Sequence, residues 1–220
     1  MELDNIYDSV FTGAYNVTIT ALYYNDHEPL KPADLILPIS TQSSSQNESS
    51  VISLPDGNAT VSFTLPPNVE RAVVSILASG NGAEEFWYTN VPTEYADTFN
   101  NTAIYGYSPF REVQLLIDGE LAGVSWPFPI VFTGGISPGL WVPIVGIDTY
   151  DLPSSEIDVS PWLGVLCDGR SHVFELKVVG YDSETVVGTV GSNWWISGAV
   201  FLWVDGQGNQ TTGTVSIYSP

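Results

Sequence analysis

Two adjacent carboxylates, Glu84 and Glu85, stand between a glycine pair and three aromatics in Ser79-Gly-Asn-Gly-Ala-Glu-Glu-Phe-Trp-Tyr-Thr-Asn90. Gly80 and Gly82 tolerate positive φ, so the chain can turn sharply where the acids emerge. An acid against an aromatic wall at a strand end suits sugar recognition, or a carboxyl group whose pKa is raised by its surroundings. The same residues also fit a plain strand end with a solvated glutamate and packed rings. Hydrolysis needs one group to polarise or protonate and another to handle the attacking water. Glu85 and Glu112 can divide that work if the fold brings them together. Arg111, beside Glu112, suits the anchoring of a carboxylate or a sugar hydroxyl. Asp118 reads as turn chemistry and Glu120 as solvated. Asp148, after an apolar stretch, reads as a turn cap or a substrate-facing acid. Phe86, Trp87, Trp126 and Trp141 are the rings available for stacking, and each also fits simple packing.

The remaining chemistry-bearing patterns are thin. There is no GxSxG string, no phosphate loop, and Gly80-Asn-Gly is not followed by a helical pattern. Cys167 is the lone cysteine, so an internal disulfide is excluded and a buried free thiol is expected. His27 and His172 lie far apart and no Cys/His cluster exists, so no metal and no cofactor is implied. With 25 acidic against 5 basic residues, a net charge of −20 repels phosphate backbones and anionic membranes. Nucleic acid is therefore not an expected partner, and no apolar run is long enough for a membrane span. Sequons at Asn16, Asn47, Asn58, Asn100 and Asn209 point to glycosylation in a secreted protein. The first residues carry no secretory leader, so the leader is expected to lie outside this chain.

The elements that must position these groups are mostly short strands. Alternation and β-branched or aromatic residues predict strands over 14–24, 33–38, 58–65, 70–79, 171–180, 185–190 and 195–204. Phe110 to Trp126 is the clearest hairpin, with Asp118-Gly119 as a type I′ turn. In it Val113, Leu115 and Ile117 share the core face, so Glu112 and Gln114 point away from the core. Residues 41–50 read as a surface loop, and 89–109 as a long but packed one. Pro127 to Pro143 reads as extended pieces and tight turns carrying aromatics. Ser160 to Gly169 predicts the one short helix, with Ser160 as N-cap and Pro161 in the first turn. The expected fold is all-β: an antiparallel jelly-roll-like β-sandwich with one short helix, a single domain over 1–220 with its core at about 14–205.

Several unusual strings in one order resemble the peptide:N-glycosidase A family, the peptide-N4-(N-acetyl-β-glucosaminyl)asparagine amidases. They are Glu84-Glu-Phe-Trp-Tyr-Thr-Asn-Val, Phe110-Arg-Glu-Val with Ile117-Asp-Gly, Trp126-Pro-Phe-Pro, Phe132-Thr-Gly-Gly, Pro138-Gly-Leu-Trp, Leu166-Cys-Asp-Gly and Phe201-Leu-Trp. The resemblance covers Tyr15 to Asp205. It implies hydrolysis of the amide joining GlcNAc to asparagine, with an N-glycosylated peptide or protein as substrate. The related bacterial F-type enzyme is built from two jelly rolls, with an aspartate–arginine pair on the first and a glutamate–aromatic pair on the second. By that pattern Glu85-Phe86 resembles the second pair, and no Phe-Asp-Arg-type string occurs here. The chain therefore resembles a second jelly roll whose first jelly roll is missing, and alone it is expected not to release glycans.

Two further functions remain open on the residues alone. One is a secreted, non-catalytic carbohydrate-binding sandwich using Trp87, Trp126 and Trp141. The other is a structural module of a larger surface protein.

Overall fold

The computed structural model describes residues 8–23, 31–98, 104–130, 139, 152–182, 188 and 190–215. The chain divides into two compact units, Met1–Pro32 and Ala33–Pro220. In the first, the Asp8 carboxylate accepts the amides of Val10 and Phe11, both at 2.7 Å. The strand expected over 14–24 does not form at 14–23: Val17, Ile19, Leu22 and Tyr23 are all exposed. Alternation defines two faces, but a strand exists only when its backbone groups find a partner, and among the described residues of this unit no strand pairs with it.

The second unit is an antiparallel β-sandwich of jelly-roll-like type with a short helix. Its strands are β1 (Leu35–Pro38), β2 (Ile52–Leu54), β3 (Thr60–Phe63), β4 (Val69–Gly80), β5 (Glu112–Ile117), β6 (Glu120–Ser125), β7 (Ser155–Asp158), β8 (His172–Val179) and β9 (Trp194–Val204). One sheet has the order β1-β9-β4-β7 and the other β3-β8-β5-β6. β4 and β9, of 12 and 11 residues, pair along nearly their whole length from Val69↔Val204 to Gly80↔Trp194. The other edge of β9 carries β1 against Ala199–Leu202 and β2 against Trp194–Ile196. Long, Val- and Ile-rich strands suit this pair, because β-branched side chains pack well on a pleated, half-buried surface.

The inner faces meet in one core. Ala72, Val74 and Ile76 of β4 and Val200 and Leu202 of β9 share a buried cluster with Val113, Leu115 and Ile117 of β5 and Phe174 and Leu176 of β8. β5 alternates strictly between half-buried and buried, which puts Glu112 and Gln114 on the outer face as expected. The β5–β6 hairpin turns at Asp118 and Gly119 with φ of 52° and 85°, the double positive φ of a type I′ turn.

The helix departs in detail from expectation. A 3₁₀ turn over Ser160–Trp162 leads into α1 (Leu163–Leu166), and Val159, not Ser160, sits at the N-cap. The Ser160 hydroxyl instead accepts the backbone amide of Ala72 at 3.1 Å, bracing β4. Cys167 closes α1 as a buried free thiol, and burial raises its pKa above the ordinary thiol value. β2 and β7 are additional to the expected strands. Most of the strand expected over 185–190 lies outside the described residues, and Gly188 and Val190 are not in a strand. No helix among the described residues is long and apolar enough to cross a membrane.

Candidate functional site

β4 ends at Gly80, where the chain folds back on itself so tightly that a Cβ would lie 2.2 Å from the Glu84 carbonyl oxygen. Gly82 takes φ +58°, a conformation that favours glycine. Two short 3₁₀ turns follow, Gly82–Glu84 and Trp87–Thr89. The loop is stitched to the entry of β9: Asn81 N donates to Asn193 O at 2.9 Å, Asn193 N returns to Asn81 O at 3.0 Å, and Ala83 N donates to Ser192 O at 2.8 Å. This turn separates the two acids. Glu84 points inward and is fully buried, while Glu85 is exposed.

Glu84 is saturated. Its Oε2 accepts Arg111 Nε at 2.5 Å and Trp194 Nε1 at 2.8 Å, and its Oε1 accepts Arg111 Nη2 and Gly191 N, both at 2.8 Å. Arg111 Nη1 donates to the carbonyls of Tyr107, Ser108 and Phe110 at 2.9, 2.8 and 2.6 Å. A buried charge pair is tolerable only when both ions have their remaining hydrogen-bonding groups satisfied; here they do. The substrate contacts expected of Glu84 and Arg111 therefore give way to an internal anchor, since neither side chain has exposed surface. Trp194 and Gly191 belong to this anchor and were not singled out by sequence reasoning. The signal that would have found them is a Gly-x-x-Trp entry to a long apolar strand, where a buried indole N–H needs an acceptor.

Trp87, which suits either stacking on sugar or simple packing, is packed largely inside, at the cleft lining. It is 8% exposed, tilted against Trp194 at 6.2 Å and edge-on to Tyr88 at 5.6 Å between ring centroids. Phe86 is half-buried and meets Tyr88 edge-on at 6.5 Å.

Glu85 faces a small cleft formed with Gly80, Trp87, Pro127, Phe128 and Ile130. Tyr88 fixes the far wall by donating its hydroxyl to the Ile130 carbonyl at 2.8 Å. Burial, helped by the negative charge of Glu85, raises the Tyr88 pKa above its ordinary value. Ala78, Pro127 and Phe128 also line a second cavity of about 140 Å³, bounded by Val113, Ser125, Trp126 and Ser155. One strip, Trp126-Pro-Phe-Pro-Ile130, thus borders both hollows. Its rings at 126 and 128 are 69% and 60% exposed, which leaves them open to a ligand.

Glu112 lies on the outer face of β5. Its Oε2 accepts the Trp126 indole N–H at 3.0 Å and its Oε1 accepts Gln114 Nε2 at 2.8 Å. Both oxygens are engaged, so in this arrangement Glu112 orients Trp126 rather than standing free as an acid or base. Trp141 and Asp148 lie outside the described residues, as does the sequon at Asn100. Asn16, Asn47, Asn58 and Asn209 are exposed, and Asn209 Nδ2 donates to Asp205 at 2.7 Å. Among the described residues no group of His, Cys, Asp and Glu is arranged to hold a metal ion.

A jelly-roll-like sandwich with an outward carboxylate locked beside an aromatic strip is the class that fold and site define. The sequence matches the family model described as "Peptide N-acetyl-beta-D-glucosaminyl asparaginase amidase A" over residues 1–219, and the chain belongs to that family. It is 36% identical over 234 residues to the peptide-N4-(N-acetyl-beta-glucosaminyl)asparagine amidase A of Prunus dulcis, covering 99% of this chain. The chain spans 39% of the length of that relative. Among solved structures, the glycosylasparaginase PNGase F of Flavobacterium meningosepticum aligns at 15% identity and TM-score 0.43, over 83% of this chain and 53% of that one. PNGF-II aligns at 16% identity and TM-score 0.43, over 82% and 31%. At that level of superposition no residue's role passes from those proteins to this one.

Proposed function

We propose that this chain is the glycan-facing part of an amidase that hydrolyses the bond between GlcNAc and asparagine in N-glycosylated peptides or proteins. The reaction is amide hydrolysis. A water oxygen attacks the side-chain carbonyl carbon, the carbon–nitrogen bond breaks, the nitrogen leaves with the sugar as a glycosylamine, and aspartate remains in the peptide. Glu85 is the acting carboxylate: it takes a proton from the attacking water and returns one to the leaving nitrogen. Phe86 borders it, and Trp126 and Phe128 provide the faces on which sugar rings stack. Glu112 serves by holding Trp126.

The observation that carries this reading is the division of labour between neighbours, Glu84 locked inside and Glu85 presented at the cleft. Membership of an amidase family supports the substrate class. The chain acts with a further jelly-roll domain that supplies the partner acid, and alone it releases no glycan. Exposed Asn16, Asn47, Asn58 and Asn209 support a secreted, glycosylated setting. The test is mass spectrometry of an N-glycopeptide incubated with this chain alone and with a family-length protein containing it. Conversion of asparagine to aspartate only in the second supports the proposal, and conversion by neither opposes it.

A second reading, carbohydrate binding without catalysis, is favoured by one feature: Trp126 is both widely exposed and hydrogen-bonded to Glu112. Equal glycopeptide turnover by the family-length protein and its Glu85→Gln variant, with sugar binding retained, would favour that reading.

A further inference from the structure

A wider hollow lies away from Glu85. It is a groove of about 610 Å³ on the β3-β8-β5-β6 sheet, walled by the Leu54–Ala59 turn and by Gly180 and Gly188, with Glu175, Lys177 and Gln114 reaching into it. That volume is within the ~300–1,000 Å³ typical of small-molecule sites, which combine apolar walls with a few placed polar groups. Gln114 and Lys177 are direct cross-strand partners on β5 and β8, and Glu175 lies two residues from Lys177 on the same face. Lys177 Nζ and Glu175 Oε1 are 3.2 Å apart, with side chains 47% and 29% exposed, so a ligand can reach both.

The groove is wired to the aromatic strip. Gln114 donates to Glu112, and Glu112 accepts from Trp126, so a line of outer-face groups runs from the groove to the exposed Trp126 ring. An amide, a carboxylate and an ammonium side by side offer paired donors and acceptors to vicinal hydroxyls, and the flanking Leu54, Pro55 and Val179 offer apolar contact. With a net charge of −20 the surface disfavours an anionic ligand. We propose that this groove is a second binding site, for a neutral oligosaccharide arm of the glycan whose reducing end lies at Glu85. The choice of an N-glycan arm as ligand rests on the amidase reading; the groove and its lining do not.

The test is titration of the unglycosylated 220-residue chain with free Man₃GlcNAc₂ pentasaccharide, followed by amide NMR shifts and calorimetry. The pentasaccharide contains no asparagine amide, so the result is independent of turnover. Shifts at Gly57, Leu176 and Gly180 are expected, with affinity at least about tenfold weaker in Lys177→Ala, because a charged hydrogen-bond donor is lost. Glu85→Gln is expected to leave those groove shifts in place. Shifts confined to the Trp126–Ile130 strip, or equal affinity in wild type and a folded Lys177→Ala, would overturn the proposal. So would occupation of the groove by the chain's own Asn58-linked glycan in protein from a secretory host, seen as the same shifts without added sugar. A failed amidase assay with groove binding intact would instead count against the amidase reading alone.

Discussion

Arg111 grips Glu84 through two of its nitrogens, at 2.5 and 2.8 Å, while its third nitrogen is held by backbone carbonyls of the preceding loop. With Gly191 and Trp194, the pair joins three distant stretches: the turn after β4, the entry to β5 and the entry to β9. Removing one member strands the other as an uncompensated buried charge, which costs about 3–5 kcal/mol. Glu84→Gln and Arg111→Met are each expected to show that loss in urea denaturation of the chain. The double variant should lose less than the sum of the singles. Additive losses would mean that the two ions do not depend on each other.

Gly191 donates its amide to Glu84, and a Cβ there would lie 2.8 Å from Glu84 Oε1. Gly191→Ala must push the anchor apart, at a cost of about 1–3 kcal/mol by analogy with overpacked cores. A lowered thermal midpoint is expected, and an unchanged one would show that the loop relaxes freely.

A separate cluster is expected to shape the pH response of stability. His172 is buried, with Nδ1 2.6 Å from Asp118 Oδ2 and Nε2 3.1 Å from Asp168 Oδ1. Burial alone would lower the imidazole pKa, but the hydrogen bonds and charges of the two aspartates outweigh it and raise it above 6.5. On Asp118 burial acts in the opposite direction, raising it, and its bonds to His172 and the Val173 amide reverse that and lower it below 3.8. Arg170 lowers Asp168, through its guanidinium and its backbone amide. The histidine's contribution to stability is complete below about pH 6.5 and is lost as pH rises through its raised folded pKa. The Asp118 contribution is complete above its unfolded pKa, about 3.9, and is lost as pH falls through its lowered folded value. Wild-type chain should therefore melt lower at pH 8 than at pH 6, and His172→Gln should flatten that difference. An equal slope in the variant would remove the cluster from the explanation.

Much of the scaffold was legible because its signals are local. Asp118-Gly119 demanded a type I′ turn, and the β5 alternation placed Glu112 outside and Val113 inside. The site was less so. Which of two adjacent glutamates turns inward depends on Gly80, Gly82 and the arrival of Trp194 and Gly191 from more than 100 residues away. Arg111 suits a carboxylate or a sugar hydroxyl, and the group it holds is the Glu84 carboxylate inside the protein. The alternation at 14–24 predicts a strand because alternation describes faces, whereas pairing is a tertiary property.

Glu112 offers a direct check on the aromatic strip. Glu112→Ala removes a charge-assisted bond to the Trp126 indole and should let the ring swing. Sugar affinity is expected to fall by about three- to tenfold, with little change in stability because the group lies on the outer face. Acrylamide quenching of tryptophan fluorescence with and without pentasaccharide reads this. Sugar protection of the same size in wild type and variant would mean that Trp126 does not need its anchor.

In the proposed reaction Glu85 is the acting carboxylate and Glu84 its buried support. Glu85→Gln in a family-length protein containing this chain, assayed by mass spectrometry on an N-glycopeptide, tests it most directly. Loss of asparagine-to-aspartate conversion by about 10²–10⁴-fold is expected, with glycopeptide binding retained and the melting temperature unchanged. Undiminished conversion by Glu85→Gln would contradict the account.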